Sequence, residues 1–429
     1  MRRAHSYALR RALTPALLGL SLLAGGCQKE PPGYEGPFQR QVRKAIPELE
    51  ESSGLTFKKL PVLELKTRDE VRAFLERQFN EQITPLELSG SQSAYRLFGL
   101  LPDTLDLRRF LLDLLTEQVA GYYDPATKVL YVVSDAAPEI RDITITHELM
   151  HALQDQHVRL DSVQSLKGDN DRMVAMQSVI EGQAVYEQLV AMTGGGDFGL
   201  RMPGGWDRVR DMIREGQASM PLFANAPVMI QETLLFPYLS GAEYIRQFKR
   251  VRSGQTPFAP FASSTEQVLH PEKYLDSVPD LPTRVTLGAP LGGSLVHEDN
   301  LGEFETRLFL YQHLKDQAVA MRGAAGWDGD RYQVVNTPAG AAIGWLTVWD
   351  SVVEAAEFRD AMERLVERRF GATRGAGGTG DTRRWTARGR HLLLSAETVG
   401  GRSVVVFEDA PDAFTGRLLA IDRAALQEP

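Results

Sequence analysis

The motif His147-Glu148-Leu149-Met150-His151 constrains the fold and chemistry of this chain more than any other stretch. Histidines four positions apart in a helix lie on one face, so both imidazoles can bind one metal ion. The glutamate beside the first histidine would then reach a water molecule rather than the metal. This arrangement predicts a zinc hydrolase centre on a helix spanning about residues 142–157.

The residues around the motif favour a metal site over a polar surface helix. The helical segment is largely apolar, with Ile143, Ile145, Leu149, Met150, Ala152 and Leu153. Imidazoles buried there without partners would be costly. A hydrogen-bonded structural histidine would explain either residue alone, but two histidines with a glutamate between them indicate a metal site.

Two residues are candidates for the third zinc ligand. Glu181 lies in a predicted helix over residues 171–193, and a second helix packed on the first would bring its carboxylate to the histidines. A solvated helix face is the alternative explanation for Glu181. The other candidate is His157. It could reach the metal only if the chain turned back at position 154, and Gln154 stands where that turn would suit a glycine. If the helix continues instead, it carries His157 away from the metal. We therefore favour Glu181.

The run His147–Asp155, HELMHALQD, resembles the signature of thermolysin-type gluzincins, whose third ligand is a glutamate on the following helix. Together with residues 156–157 and the later Glu-Gly-x-Ala, it also resembles a group of poorly characterised prokaryotic zinc metallopeptidases. The resemblance covers roughly residues 121–275. It implies a zincin-like core in which Zn²⁺, bound by His147, His151 and Glu181, and the general base Glu148 hydrolyse peptide bonds.

One position departs from that pattern. Thermolysin-type enzymes orient a zinc histidine with an aspartate four residues after the ligand glutamate, and here that position is Val185. A different residue must then hold the histidine, and Asp155 is a candidate. The resemblance also implies a histidine and a tyrosine that donate to the oxyanion, for which we nominate His270 and Tyr274. A structural histidine in a surface turn explains His270 equally well.

A β-hairpin is predicted immediately before the motif helix. Residues 121–123 and 129–133 are rich in tyrosine and valine and flank the turn-forming segment 124–128. A free edge of this hairpin could hold an extended peptide across the metal by strand addition, although an ordinary core hairpin has the same sequence pattern.

The N-terminus predicts export. Four arginines precede an apolar run over residues 12–24, which is too short to span a bilayer and typical of a signal peptide. The run ends in Leu23-Ala24-Gly25-Gly26-Cys27, which resembles a bacterial lipobox, and Cys27 is the only cysteine. We expect residues 1–26 to be removed and a lipid on Cys27 to anchor the chain to a membrane of the cell envelope. The outer membrane is one candidate for that membrane. Simple secretion is the alternative.

Composition limits the remaining classes of function. A net charge of -8, with no basic patch and no second apolar run of membrane-spanning length, argues against nucleic-acid binding. We predict an α+β fold with a tether over residues 27–60, a zincin-like metallopeptidase domain over 61–322 and a C-terminal α+β domain over 323–429. The GxGxxG match at residues 375–380 follows a helix, so we interpret it as a loop and not a dinucleotide site.

The function expected from these features is zinc-dependent cleavage of a peptide or protein substrate at the bacterial cell envelope. The alternative is a non-catalytic lipoprotein with a zincin fold that binds peptides or partner proteins. The presence of Glu148 disfavours that alternative, because binding alone does not need a general base.

Overall fold

Separate helical and sheet regions make the fold α+β, as predicted. The computed structural model describes residues 33–161, 166–193, 204–372 and 381–428. Its helices are α1 (Gln39–Ser53), α2 (Arg68–Gln82), α3 (Pro85–Leu97), α4 (Leu107–Gln118), α5 (Pro138–Gln154), α6 (Asn170–Met192), α7 (Gly205–Ala218), α8 (Pro221–Ala224), α9 (Val228–Val251), α10 (Thr265–Leu269), α11 (Pro271–Leu275), α12 (Gly302–Leu314), α13 (Gln317–Ala324) and α14 (Val352–Phe370). Its strands are β1 (Val62–Lys66), β2 (Gly121–Asp124), β3 (Val129–Val133), β4 (Arg284–Thr286), β5 (Ser294–Asp299), β6 (Trp327–Thr337), β7 (Gly340–Trp349), β8 (Thr382–Ala387), β9 (Arg390–Val399), β10 (Arg402–Pro411) and β11 (Ala425–Gln427).

A small sheet lies beside the motif helix. Its order is β1-β3-β2, with β1 parallel and β2 antiparallel to β3, so the hairpin predicted before the motif is present and β2 is an edge strand. Helix α5 packs against β2 and β3. At Gly121 a Cβ atom would lie 2.7 Å from Thr144 Cγ2, so glycine is what allows β2 to approach α5.

Helix α5 carries the motif and is fixed by its apolar side. It begins at Pro138, where a missing N–H costs nothing, and ends at Gln154. Its buried side chains form a core with the sheet and with α1, and the members of this core include Leu49, Leu130, Val132, Ile145, Leu149, Met150 and Leu153. Burial of this stripe therefore sets how α5 is rotated on the sheet.

Helices α6 and α9 cross at two glycines. A Cβ at Gly182 would lie 2.1 Å from the carbonyl carbon of Gly241, and a Cβ at Gly241 would lie 2.0 Å from the Ser178 carbonyl oxygen. The two backbones are therefore in direct contact, which no larger residue would permit. The crossing lies one residue from Glu181 and places α9 beside it.

The C-terminal part is built on a six-stranded antiparallel sheet of order β5-β6-β7-β10-β9-β8, with α14 packed on it. Its edge strand β5 precedes residue 323, where we predicted the second domain to begin. Phe98, Phe309 and Trp345 pack edge to face and join the helices to this sheet in one core. Among the described residues, no helix has both the length and the apolar character needed to cross a membrane.

Candidate metal centre

Helix α5 presents two histidines one turn apart. Their rings lie edge to face with centroids 4.8 Å apart, and the Nε2 atoms of His147 and His151 are 3.1 Å from each other. His151 is buried and His147 is partly buried. Both Nε2 atoms therefore point to the same small volume, as the four-residue spacing predicts.

Helix α6 contributes the third group. The Oε2 atom of Glu181 lies 3.2 Å from His147 Nε2 and 3.3 Å from His151 Nε2. Ligand atoms bound tetrahedrally at 2.0–2.1 Å from zinc are about 3.3 Å from one another. The three side chains therefore have the donor types and the mutual spacing of three corners of a zinc site. We call them the metal triad.

The second nitrogen of each histidine bonds to a glutamine. His147 Nδ1 lies 3.1 Å from Gln188 Oε1, and His151 Nδ1 lies 2.8 Å from Gln154 Oε1. Such partners hold a ligand imidazole in one orientation. The carboxylate of Asp155, the predicted partner, accepts instead from the hydroxyl of Tyr123 at 2.8 Å and from Lys128 Nζ at 2.6 Å. The backbone N–H of Asp155 donates to the His151 carbonyl oxygen at 2.9 Å, which does not hold the imidazole.

The charges within the metal triad keep its carboxylate ionised. Burial alone would lower the pKa of His151, but the adjacent Glu181 carboxylate raises it to about 9. Burial would raise the pKa of Glu181, but the charges and hydrogen bonds of His151 and His147 hold it well below its usual range. Glu181 is therefore a carboxylate at neutral pH, the form that binds metal.

Glu148 lies beside the triad without joining it. Its buried Oε2 accepts a hydrogen bond of 2.8 Å from the backbone N–H of Tyr123 in β2. Asp155 fixes the same strand through the Tyr123 hydroxyl and Lys128. The edge strand is thus tied to the motif helix at two points, and one of them orients the Glu148 carboxylate.

Tyr238 in α9 is a site residue that the sequence reasoning missed. Its ring stacks on His147 with centroids 6.0 Å apart, and part of the side chain reaches the surface. The charge of Glu181, then burial, then the charge of Glu148 raise the pKa of Tyr238 well above its usual value, so its hydroxyl lies near the Glu181 carboxylate. No local sequence signal identifies it, because the glycine crossing of α6 and α9 brings it to the triad.

The remaining candidates lie elsewhere among the described residues. His270 Nε2 bonds to Glu303 at 2.9 Å, and Tyr274 donates to the carbonyl of Pro260 at 2.7 Å. Neither residue contacts the triad. His157 follows the end of α5, not a continued helix, and its Nε2 bonds to the Thr56 carbonyl at 2.9 Å. Cys27 and the GxGxxG match at residues 375–380 lie outside the described residues.

A second group of acids has the spacing of a metal site but already contains a cation. Glu266, Asp280 and Asp350 converge. The ammonium nitrogen of Lys273 lies 2.6, 2.7 and 2.8 Å from their respective carboxylates. This lysine neutralises the group, so we do not assign a metal to it.

Comparison with known families matches residues 290–418 to a domain of unknown function (DUF8575). The match begins before β5 and ends after β10, so it covers the C-terminal sheet and leaves out the whole metal triad. No curated protein and no solved structure matches the chain. The chain is thus similar to DUF8575 over the sheet region at residues 290–418.

Proposed function

We propose that the protein is a zinc-dependent endopeptidase with a zincin-like core of the gluzincin type. One observation carries the proposal: two imidazole nitrogens and a carboxylate oxygen converge at 3.1–3.3 Å while Glu148 keeps its carboxylate outside that triangle. His147, His151 and Glu181 would hold Zn²⁺, which supplies a Lewis acid that makes a water molecule acidic enough to attack near neutral pH.

Glu148 is the proposed general base. It takes a proton from the attacking water and passes it to the leaving amine nitrogen. The Tyr123 N–H bond holds the carboxylate in one orientation beside the triad. A scaffold that only bound peptides would not need a general base beside the triad, which supports hydrolysis over the non-catalytic alternative.

Tyr238 is the proposed oxyanion donor, in place of His270 and Tyr274. Its hydroxyl lies near the Glu181 carboxylate, whose charge is the largest cause of its raised pKa. A phenol so placed can donate to the oxygen on which negative charge develops. The stacking of its ring on His147 holds the side chain beside the triad before substrate arrives.

The edge of β2 is the proposed peptide-binding strand. The carbonyl groups of Ala120 and Asp124 accept hydrogen bonds from the backbone N–H groups of Val133 and Lys128. Because backbone groups alternate in direction along a strand, those of Gly121 and Tyr123 point away from β3. The N–H of Tyr123 bonds to Glu148. The carbonyl groups on this edge would accept from the N–H groups of an extended substrate, which would lie beside the general base.

The proposed location is the cell envelope, with Cys27 lipidated after removal of residues 1–26. The apolar run and the lipobox-like residues support this. The measurement is membrane fractionation of the full-length chain and of Cys27→Ser. We expect the variant to leave the membrane fraction or to accumulate as unprocessed precursor. Unchanged fractionation and processing, without lipid label on the wild type, would contradict the anchor.

The experiment on function separates metal binding from catalysis. The mature wild-type chain should bind about one Zn²⁺. His151→Ala should abolish this binding, because the two remaining donors are too few to hold the ion. Glu148→Gln should keep the zinc and lower hydrolysis of quenched peptides at least about a hundredfold, the lower range for a lost general base.

Glu139→Gln is the matched control, since Glu139 is an exposed acid in the first turn of the same helix. It should leave both zinc content and hydrolysis unchanged. Full activity in Glu148→Gln would reject the mechanism. Zinc binding without any hydrolysis by the wild type would favour the peptide-binding alternative.

A further inference from the structure

Gln154 is fully buried at the end of α5 and uses both ends of its amide. Its Oε1 lies 2.8 Å from His151 Nδ1, and its Nε2 lies 2.9 Å from the Ile180 carbonyl oxygen and 3.0 Å from Gln183 Oε1. It therefore joins a histidine of the metal triad to the helix that carries Glu181.

The Ile180 carbonyl determines which end of this amide is which. A carbonyl oxygen only accepts hydrogen bonds, so the amide end facing Ile180 must be the NH₂ group. The oxygen of Gln154 then faces His151. Because an amide oxygen also only accepts, His151 Nδ1 must carry the hydrogen of that contact. The remaining nitrogen, Nε2, is left to bind a cation.

We propose that Gln154 selects Nε2 as the metal-binding nitrogen of His151 by engaging Nδ1–H, with its own orientation fixed from α6. This positioning role rests on the proposed metal site. It assigns a function to the residue that occupies the glycine position of the alternative His157 pattern. Val185 stands where thermolysin-type enzymes have an aspartate that orients a zinc histidine. Here the neutral amide of Gln154, on the other ligand helix, would take that orienting role.

Gln188 provides an internal comparison. Its Oε1 lies 3.1 Å from His147 Nδ1, but within the described part of the chain its Nε2 bonds only to the Met192 sulfur, at 4.0 Å. Sulfur is a weak acceptor, so this amide is not oriented as Gln154 is. The amide orientation is therefore fixed at His151 and not at His147. Gln154 is the residue to test.

The test measures zinc affinity of the folded mature chain by competition with a chromophoric chelator. Gln154→Met keeps the side-chain length but removes the oxygen, so the zinc dissociation constant should rise about 10- to 100-fold, as for other residues that orient ligands. The control Gln183→Leu removes one contact between Gln154 and α6 but keeps the Ile180 acceptor. It should change zinc affinity far less.

A conservative variant and a spectroscopic readout separate positioning from packing. Gln154→Glu retains an oxygen for Nδ1–H and should recover most of the zinc affinity, even though its carboxylate faces the Ile180 carbonyl and lowers stability. In the zinc-loaded wild type, ring ¹⁵N NMR should show His151 coordinated through Nε2 with a protected Nδ1–H.

Four results would overturn the inference. Gln154→Met with wild-type zinc affinity would remove the proposed role, and coordination of His151 through Nδ1 would do so even if the variants failed to fold. Equal losses in Gln154→Met and Gln183→Leu would point to helix packing instead. A wild-type chain that binds no zinc would reject this inference and the proposed function together, whereas the first three results leave the proposed function standing.

Discussion

Tyr238 gives the sharpest prediction at the scale of single residues. Tyr238→Phe keeps the ring that stacks on His147 and removes only the hydroxyl near the Glu181 carboxylate. Zinc content should stay the same, KM should change little, and kcat should fall about 100-fold, the lower range for loss of one oxyanion donor. Steady-state kinetics on a quenched peptide, with zinc measured on the same samples, tests this.

The matched control is Tyr274→Phe. The Tyr274 hydroxyl donates to the Pro260 carbonyl, so its removal should cost about 1 kcal/mol of stability and leave kcat unchanged. If Tyr238→Phe had wild-type kcat while Tyr274→Phe lost it, the oxyanion role would return to the residues favoured by the sequence alone.

Local spacing explains which site residues the sequence could predict. His147 and His151 follow from the period of one helix, and the structure brings them together with Glu181 as expected. Tyr238 could not be predicted, because its place depends on how two distant helices cross. His270 lies at a loop whose distance to the motif no periodicity fixes, and its Nε2 bonds to Glu303.

At the scale of elements, the glycine crossing of α6 and α9 is the feature on which the site depends. Gly182→Ala would place a Cβ 2.1 Å from the backbone of Gly241 and must push α9 away. We expect a loss of at least about 1–3 kcal/mol of stability, the usual cost of overpacking, and weaker zinc binding because Glu181 is the adjacent residue. Urea unfolding and chelator competition measure the two effects.

Gly216→Ala serves as the control for helix propensity. Gly216 lies inside α7, and a Cβ there would meet no atom within 4 Å. This substitution should raise stability by about 0.5–1 kcal/mol, because glycine is the weaker helix former. If Gly182→Ala were as stabilising as Gly216→Ala, the helices would not be held in backbone contact.

Elements with a strong local pattern were predictable, and elements with long-range pairing were not. The hairpin of β2 and β3 and the helix α5 follow from turn residues and an apolar stripe. Strand β5 has no fully buried residue, and it pairs with β6 across the intervening helices α12 and α13. No alternation marked it as part of the C-terminal sheet, so the sheet begins earlier in the chain than the boundary we predicted at residue 323.

At the scale of the whole molecule, buried acids join the ligand helix to the C-terminal part. Asp171 at the start of α6 accepts from Thr265, and Glu305 in α12 accepts from Tyr95 and Asn170. Burial raises the pKa of Asp171 and of Glu305 to about 8 in each case. These carboxyls therefore keep protons in the folded state that the unfolded chain releases.

The sign of the resulting pH dependence follows from that difference. Between the ordinary pKa of 3.8 and about 8, unfolding releases the Asp171 proton, so stability falls as pH rises and then levels off. The pKa of His151, which burial alone would lower, is raised to about 9 by Glu181 in the zinc-free chain. The stability that the raised pKa of His151 contributes is fully present below about pH 6.5 and is lost as pH rises through 9. It therefore also makes stability fall as pH rises.

We therefore expect the free energy of unfolding of the zinc-free chain to fall from pH 5 to pH 8. Asp171→Asn cannot ionise, so its slope should be shallower by at most about 1.4 kcal/mol per pH unit, the value for one proton. His151 contributes equally to both chains, and the difference between their slopes isolates Asp171. The exposed-acid variant Asp422→Asn should retain the wild-type slope. Urea titrations at pH 5, 6.5 and 8 measure these slopes. Parallel slopes in Asp171→Asn and the wild type would mean that Asp171 is ionised in the folded protein. The acids between α6 and α12 would then need a cation or buried water to hold them together.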